Sequence, residues 1–257
     1  MTVLIGTSGW QYRHWKERFY PRNVAQKRWL EFYAERFGTV ESNNAFYMLP
    51  KPETFRSWAE RTPDDFVMTV KVNRYITHIR RLRAAGDSVA RFLASVRHLG
   101  PKLGPVLLQL PPTLRADVPS LTEVLALLSP SVRVAVEFRH ASWFNDEVRS
   151  LLEAHDAALC LADRASRPVS PLWRTAGWGY VRFHHGIASP LPCYGRTALR
   201  TWVGRVAARW TPEEEVYAFF NNDPEGCALR DARVFAAECA RAGLSPTRVA
   251  PDPVPVG

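Results

Sequence analysis

The sequence predicts an α/β fold of the (β/α)8 TIM-barrel type, built as a single domain. Three observations point there. Eight short apolar runs punctuate the chain, helix-period segments separate most of them, and nearly every run ends in a polar or ionisable residue. The runs are residues 3–6 before Thr7 and Ser8, 39–40 before Glu41, 66–70 before Lys71 and 106–108 before Gln109. Then come 132–136 before Glu137, 157–162 before Asp163, 180–181 before Arg182 and His184, and 216–220 before Asn221 and Asn222. They are continuous rather than alternating, as expected of parallel strands covered on both faces. A length of 257 residues suits one such domain. The competing architecture is an open doubly wound sheet, which expects a Gly-rich phosphate loop after its first strand. Here the first strand runs into Gly6-Thr7-Ser8-Gly9-Trp10, which is neither G-x-G-x-x-G nor a P-loop.

The helices follow in order. Ala25, Trp29, Leu30, Tyr33 and Phe37 share a face between Pro21 and Gly38. Pro52 opens a helix carrying Phe55 and Trp58. Val89, Phe92, Leu93, Val96 and Leu99 mark the third, which Gly100 stops, and Leu121, Val124, Leu125 and Leu128 mark the fourth. A shorter helix follows Asp146. Between Asp163 and Gly179, Pro168, Pro171 and Gly177 interrupt any stripe, predicting a short or irregular sixth helix. Leu199, Trp202, Val203, Val206 and Trp210 mark the next, and Ala228, Ala232, Phe235, Ala236 and Cys239 the last, ended by Gly243. The barrel domain is expected over 1–245, with 246–257 a loose Pro-rich terminal strap.

The formal charge is +9, which favours anionic partners: a small anionic substrate, or nucleic acid. The excess is mostly arginine scattered over helices, and no dense basic run appears. The four cysteines, Cys160, Cys193, Cys227 and Cys239, form no C-x-x-C pair, which excludes zinc-finger and thioredoxin-like readings. Cys160 and Cys239 sit on apolar stripes as small core residues. The first strand begins too early to leave room for a signal peptide, and no apolar stretch has membrane-spanning length. A reduced, cytoplasmic protein without a membrane partner is expected.

In a barrel, residues ending the strands converge on one rim. The acid–base candidates there are Glu41, Glu137, Asp163 and His184, and His184 shares a strand face with Arg182 through the two-residue period. Lys71, Arg139 and Arg182 are the candidate anion holders, and each is equally a partner for a structural ion pair with those carboxylates. A desolvated Lys71 also permits Schiff-base chemistry. Asn43, Gln109 and Asn221 supply neutral donors and acceptors, and His78 lies in the loop after the third strand. Trp10 and Trp143 lie in rim loops, where they stack on a ligand or plug the mouth. No H-x-E, H-E-x-x-H or EF-hand motif is present, and no organic cofactor is expected. A divalent metal would require Glu41, Glu137, Asp163 and His184 to converge in space.

Several stretches, ordered along nearly the whole chain, resemble the YecE-like family, the domain of unknown function 72. They are residues 5–10 with Phe19-Tyr20-Pro21, Val40-Glu41-Ser42-Asn43 with Phe46-Tyr47, and Lys71-Val72 with Ile76-Thr77-His78. Others are Leu103-Gly104-Pro105 running to Gln109-Leu110-Pro111-Pro112, and Glu137-Phe138-Arg139 with Ser142-Trp143-Phe144. Residues 180–184 and Phe220-Asn221-Asn222-Asp223 complete the set. The resemblance implies a TIM-like barrel and supplies no activity. One departure is His185, which stands between His184 and Gly186 where the family often reads Arg-x-His-Gly.

The residues support an enzyme with hydrolase- or isomerase-type acid–base chemistry on an anionic, phosphate-bearing substrate such as a nucleotide or nucleic acid. Two alternatives remain open. One is a non-catalytic nucleic-acid binder, whose affinity falls steeply with salt. The other is a carbohydrate-active enzyme using Glu41 and Glu137 as its carboxylate pair. The sequence leaves the oligomeric state open.

Overall fold

A computed structural model describes residues 1–250; the remainder of the expected terminal strap, 251–257, lies outside the described residues. The strands are β1 (Thr2–Thr7), β2 (Thr39–Ser42), β3 (Val67–Lys71), β4 (Leu103–Gln109), β5 (Val134–Glu137) and β6 (Ala158–Arg164). They continue with β7 (Arg167–Pro168), β8 (Gly179–Phe183), β9 (Glu215–Phe220) and β10 (Ser245–Pro246). All eight apolar runs are therefore strands, and β7 and β10 are short additions. The helices are α1 (Trp29–Ala34), α2 (Asn44–Tyr47), α3 (Pro52–Glu60), α4 (Gly86–Val96), α5 (Val118–Leu128), α6 (Asp146–Ala154), α7 (Arg196–Ala207) and α8 (Cys227–Arg241).

The strands form one curled sheet in the order β10-β1-β9-β8-β6-β5-β4-β3-β2, parallel throughout that path, with β7 turning back antiparallel on β6. The fold is thus a mostly parallel α/β half-barrel. The closed barrel expected from the sequence is not laced shut among the described residues, because the hydrogen-bonded path ends at β10 and β2 and no ladder joins β1 to β2. They still lie side by side. Gly6 packs so tightly on the Thr39 carbonyl that a Cβ there would sit 2.3 Å from the oxygen. Tyr33 of α1 fills the seam: its hydroxyl accepts from the Thr7 N–H at 3.0 Å and donates to the Thr39 carbonyl at 3.1 Å. Tyr33→Phe leaves a buried backbone donor without that acceptor, so a loss of about 1–3 kcal/mol is expected in denaturant unfolding. An unchanged unfolding midpoint would mean the seam is held by other contacts.

Alternate strand residues face two different cores. Leu4, Leu107, Ala135, Ala158, Cys160, Tyr180, Tyr217 and Phe219 meet inside the curl. Val3, Ile5, Val106, Leu108, Val134, Val136, Leu159 and Leu161 pack outward in the core that also holds the helices. Helix starts are locally encoded. The Asp117 side chain caps α5 through the Ser120 N–H, and Asn145 caps α6 through the Val148 N–H.

Two expectations need correction. The sixth link holds no helix at all among the described residues, only β7 and a loop. The Thr175 hydroxyl stands in for missing backbone partners there, accepting from the Leu159 N–H and donating to the Ala157 carbonyl. The tail is also less loose than expected as far as residue 250. Thr247 N–H donates to Val3 O, the Gly38 N–H donates to Arg248 O, and Arg248 pairs with Asp65.

Cys193, in the loop after β8, is disulfide-bonded to Cys227 at the start of α8, while Cys160 and Cys239 are buried and free. Stable disulfides are uncommon in reducing compartments, so the expectation of a fully reduced chain loses its support. No helix among the described residues is long and apolar enough to cross a membrane.

Candidate functional site

Arg182 is the hub of the rim. It is 1% exposed and projects from β8 toward the ends of β2 and β5. Its Nη2 donates to Glu41 Oε1 at 2.7 Å, and its Nη1 donates to Glu137 Oε2. The Tyr180 hydroxyl, two residues earlier on β8, donates to Glu41 Oε2 at 2.7 Å. Glu137 Oε1 takes Arg139 Nε at 2.9 Å and lies 3.1 Å from His184 Nε2. His184 Nδ1 lies 3.2 Å from Asn221 Nδ2. With Asn221 donating, the His184 proton sits on Nε2 and is given to Glu137. Both imidazole nitrogens are then occupied within the protein.

The charges set one another's ionisation. Burial pushes the Glu137 carboxyl up, but Arg182, His184 and Arg139 outweigh it and hold the group well below the usual carboxylate range. Burial lowers the His184 pKa, and Glu137 only partly offsets that. Lys71, at the end of β3, is pushed down to about 8, first by burial and then by Arg182. Its Nζ sits 3.9 Å from the centre of the Phe46 ring. Burial, then Lys71 and Arg74, push His78 down to about 4, so its ring is neutral at pH 7.

Above this network opens a cavity of about 1120 Å³. Lys71, Gln109, Arg139, Arg182, Asn43, Asn221, His78 and Trp10 line it. Lys51 adds another cation, and no aspartate or glutamate is among the lining residues. Tyr12, Phe46 and Trp58 supply aromatic wall, and Trp10 meets Trp58 edge-on at 5.3 Å. Gln109 Nε2 and Arg182 Nε are buried donors without a protein acceptor.

The other predicted residues divide into two groups. Glu41, Glu137 and His184 belong to the network but do not line the cavity. Asp163 and Trp143 join neither. Asp163 shares the outward parity of Leu159 and Leu161, and its carboxylate accepts from the Tyr194 hydroxyl and from Trp202 Nε1, both at 2.7 Å. Burial raises its pKa despite those bonds. Trp143 is fully buried, stacked on Phe138, with its Nε1 donating to the Leu114 carbonyl. The proposed metal set therefore does not assemble. Asp163 points away, Arg182 already bridges the two glutamates, and no group of three or more His, Cys, Asp or Glu among the described residues is placed to hold an ion. Sequence reasoning missed Tyr180, Trp58 and Lys51. For Tyr180 a signal existed, since it lies one strand period before Arg182.

Comparison with known proteins places this rim in a family. A family model described as a protein of unknown function, DUF72, matches residues 4–254. The chain belongs to the DUF72 family. Its relatives include the UPF0759 protein YecE of two Escherichia coli strains, each 35% identical over 143 residues. That stretch is 55% of this chain and 50% of each relative, so the match spans half the length of these curated relatives. A DUF72 protein of Thermotoga maritima, known from its crystal structure, is 27% identical with a TM-score of 0.79, covering 93% of this chain and all of that one. A DUF72 protein of Enterococcus faecalis is 18% identical with a TM-score of 0.76, covering 93% of this chain and 95% of its own, a likeness of fold alone. DUF72 membership accounts for the scaffold.

Proposed function

We propose that the cavity binds an anionic, phosphate-bearing ligand such as a nucleotide, and that the protein acts on it by acid–base chemistry of the hydrolase or isomerase type. The observation that carries this reading is the composition of the lining: Lys51, Lys71, Arg139 and Arg182 with no carboxylate. A cationic cavity of small-molecule size concentrates a compact anion. Arg139 and Lys71 meet the phosphate, Gln109 and Asn43 fix its orientation, and Phe46, Tyr12 and Trp10 face a flat ring.

The roles within the site differ from those expected of a Glu137–His184 pair. An ionised Glu137 that already accepts from Arg182, Arg139 and His184 holds those groups in place. Lys71 is the cavity-lining group whose pKa lies near neutrality, and it is the better proton carrier. The carbohydrate-enzyme alternative draws no support from a cavity without a lining carboxylate. The nucleic-acid alternative has less than the overall charge suggests, because many helix arginines are tied to carboxylates: Arg61 to Glu31, and Arg196 and Arg200 to Glu238.

Calorimetric titration with adenosine monophosphate, adenosine and glucose at two salt concentrations tests the proposal. The phosphate ester is expected to bind at least about tenfold tighter than adenosine, the share of one charge-assisted contact. Arg139→Gln should remove most of that margin. Equal affinity for all three compounds would sink the reading. Binding confined to polynucleotides and lost steeply with salt would favour the non-catalytic binder.

A further inference from the structure

We infer that Lys71 is a nucleophilic amine that condenses with an aldehyde or ketone carbon of the phosphate-bearing ligand, forming an imine at the end of β3. The inference rests on the anion-binding reading above and names the substrate class within it: a phosphorylated carbonyl compound.

Lysine is scarce in this chain. Lys16, Lys27, Lys51, Lys71 and Lys102 are the only lysines among 34 basic residues, and the rest are arginine. Where the chain needs a positive charge it uses a guanidinium, which stays protonated and is no nucleophile. Lys16, Lys27 and Lys51 are exposed. Lys102 is buried with a structural task, since its Nζ donates to the carbonyls of Ala59 and Thr62 at 2.6 Å each. Lys71 is different. It is 8% exposed and lines the cavity. Among the described residues no carboxylate lies within ion-pair distance of its Nζ, which rests instead on the Phe46 ring. Arg139 and Arg182 line the same cavity. A desolvated amine beside other cations is the arrangement that activates a lysine for addition to a carbonyl. The downward shift of its pKa to about 8 agrees with that geometry. The Arg139 guanidinium, which favours the free amine, also keeps hold of the phosphate of the incoming ligand when the Lys71 amine turns to its carbonyl carbon.

The step balances without a co-reactant. The amine lone pair forms the C–N bond as the carbonyl π bond opens onto oxygen, which takes a proton. The carbinolamine then expels that oxygen as water. The two protons lost from nitrogen leave in the water, and a C=N bond remains. Uptake of one proton from solvent converts the imine into the iminium that a hydride reduces, and neutral His78, which lines the same cavity, adds no charge against it.

Reductive trapping tests this on the wild-type chain. The protein is incubated with glycolaldehyde phosphate and cyanoborohydride at pH 7.5, and the adducts are located by peptide mass mapping. In parallel, calorimetry measures binding of glycerol phosphate, which has the phosphate but no carbonyl. The expected result is modification of Lys71 about tenfold or more above Lys16, Lys27 and Lys51, since its neutral fraction at that pH is far larger than that of an ordinary lysine. Excess inorganic phosphate should suppress it, and glycolaldehyde without its phosphate should label Lys71 weakly. Glycerol phosphate binding with uniform labelling, or with none at Lys71, would overturn the imine and leave the anion site standing. Absence of both binding and labelling would overturn the two together.

Discussion

Replacing Arg182 with methionine is expected to destabilise the protein by about 3–5 kcal/mol, because it strands two buried carboxylates. Arg182 is 1% exposed and is the shared partner of Glu41 and Glu137, themselves 0% and 2% exposed. Without it, Glu41 keeps only the Tyr180 hydroxyl as a side-chain donor, and Glu137 keeps Arg139 and His184. For a chain of this size the loss corresponds to a fall in melting temperature of about 10 °C. The pH dependence provides an independent check. The folded-state pKa of Glu137 is depressed, so its contribution is present above the unfolded-state value and is lost as pH falls through the folded one. In the Arg182→Met variant that acid-limb loss should shrink, because Glu137 then gains a proton more easily. A variant melting within a degree or so of wild type would mean that the network is not needed to hold the rim together. Glu41→Gln paired with Arg182→Met should cost less than the sum of the two single changes, since both remove the same interaction.

The second large effect concerns Lys71. Affinity for a phosphate ester is expected to hold between pH 7 and 8, then to fall about tenfold or more by pH 9.5, as one charge-assisted contact is lost. The charged groups set against Lys71 are Arg182, Glu41, Glu137 and Arg139, and burial is the largest influence on it. The sign differs for stability. The folded pKa of about 8 lies below the ordinary value, so the unfolded chain holds more protons across the window from about 8 upward. Deprotonation of Lys71 there favours the folded state while it weakens anion binding. Calorimetry and thermal melts on the same samples should therefore move in opposite directions as pH rises. In Lys71→Met, binding should be weak already at pH 7 and should lose its drop above pH 8. An unaltered pH profile in that variant would remove Lys71 from the anion site.

Much of this rim was legible in the sequence, because a parallel strand delivers its last residue to one end of the sheet whatever lies between strands. Glu41, Lys71, Gln109, Glu137 and Arg182 all converge for that reason. The outward direction of Asp163 is hidden in the sequence because β6 is buried on both faces. Cys160 and Leu161 are both apolar, so no alternation in the sequence revealed which parity faces inward. The place of Trp143 is hidden too, because a rim loop that packs down on Phe138 reads no differently from one that stands over a ligand. The division between the network and the cavity wall was also hidden. Spacing places His184 beside Arg182, but it carries no sign that Glu137 and Asn221 engage both its nitrogens. The seam between β1 and β2 is bridged by a hydroxyl from α1, and the helical stripe marks Tyr33 only as a core residue.

The most direct measurement is a crystal structure of the protein grown with adenosine monophosphate. The phosphate should lie within hydrogen-bond distance of Lys71 Nζ and the Arg139 guanidinium, with Gln109 Nε2 turned toward the ligand and the base against the aromatic wall. A nucleotide bound elsewhere on the surface, with the cavity holding only solvent, would contradict the account.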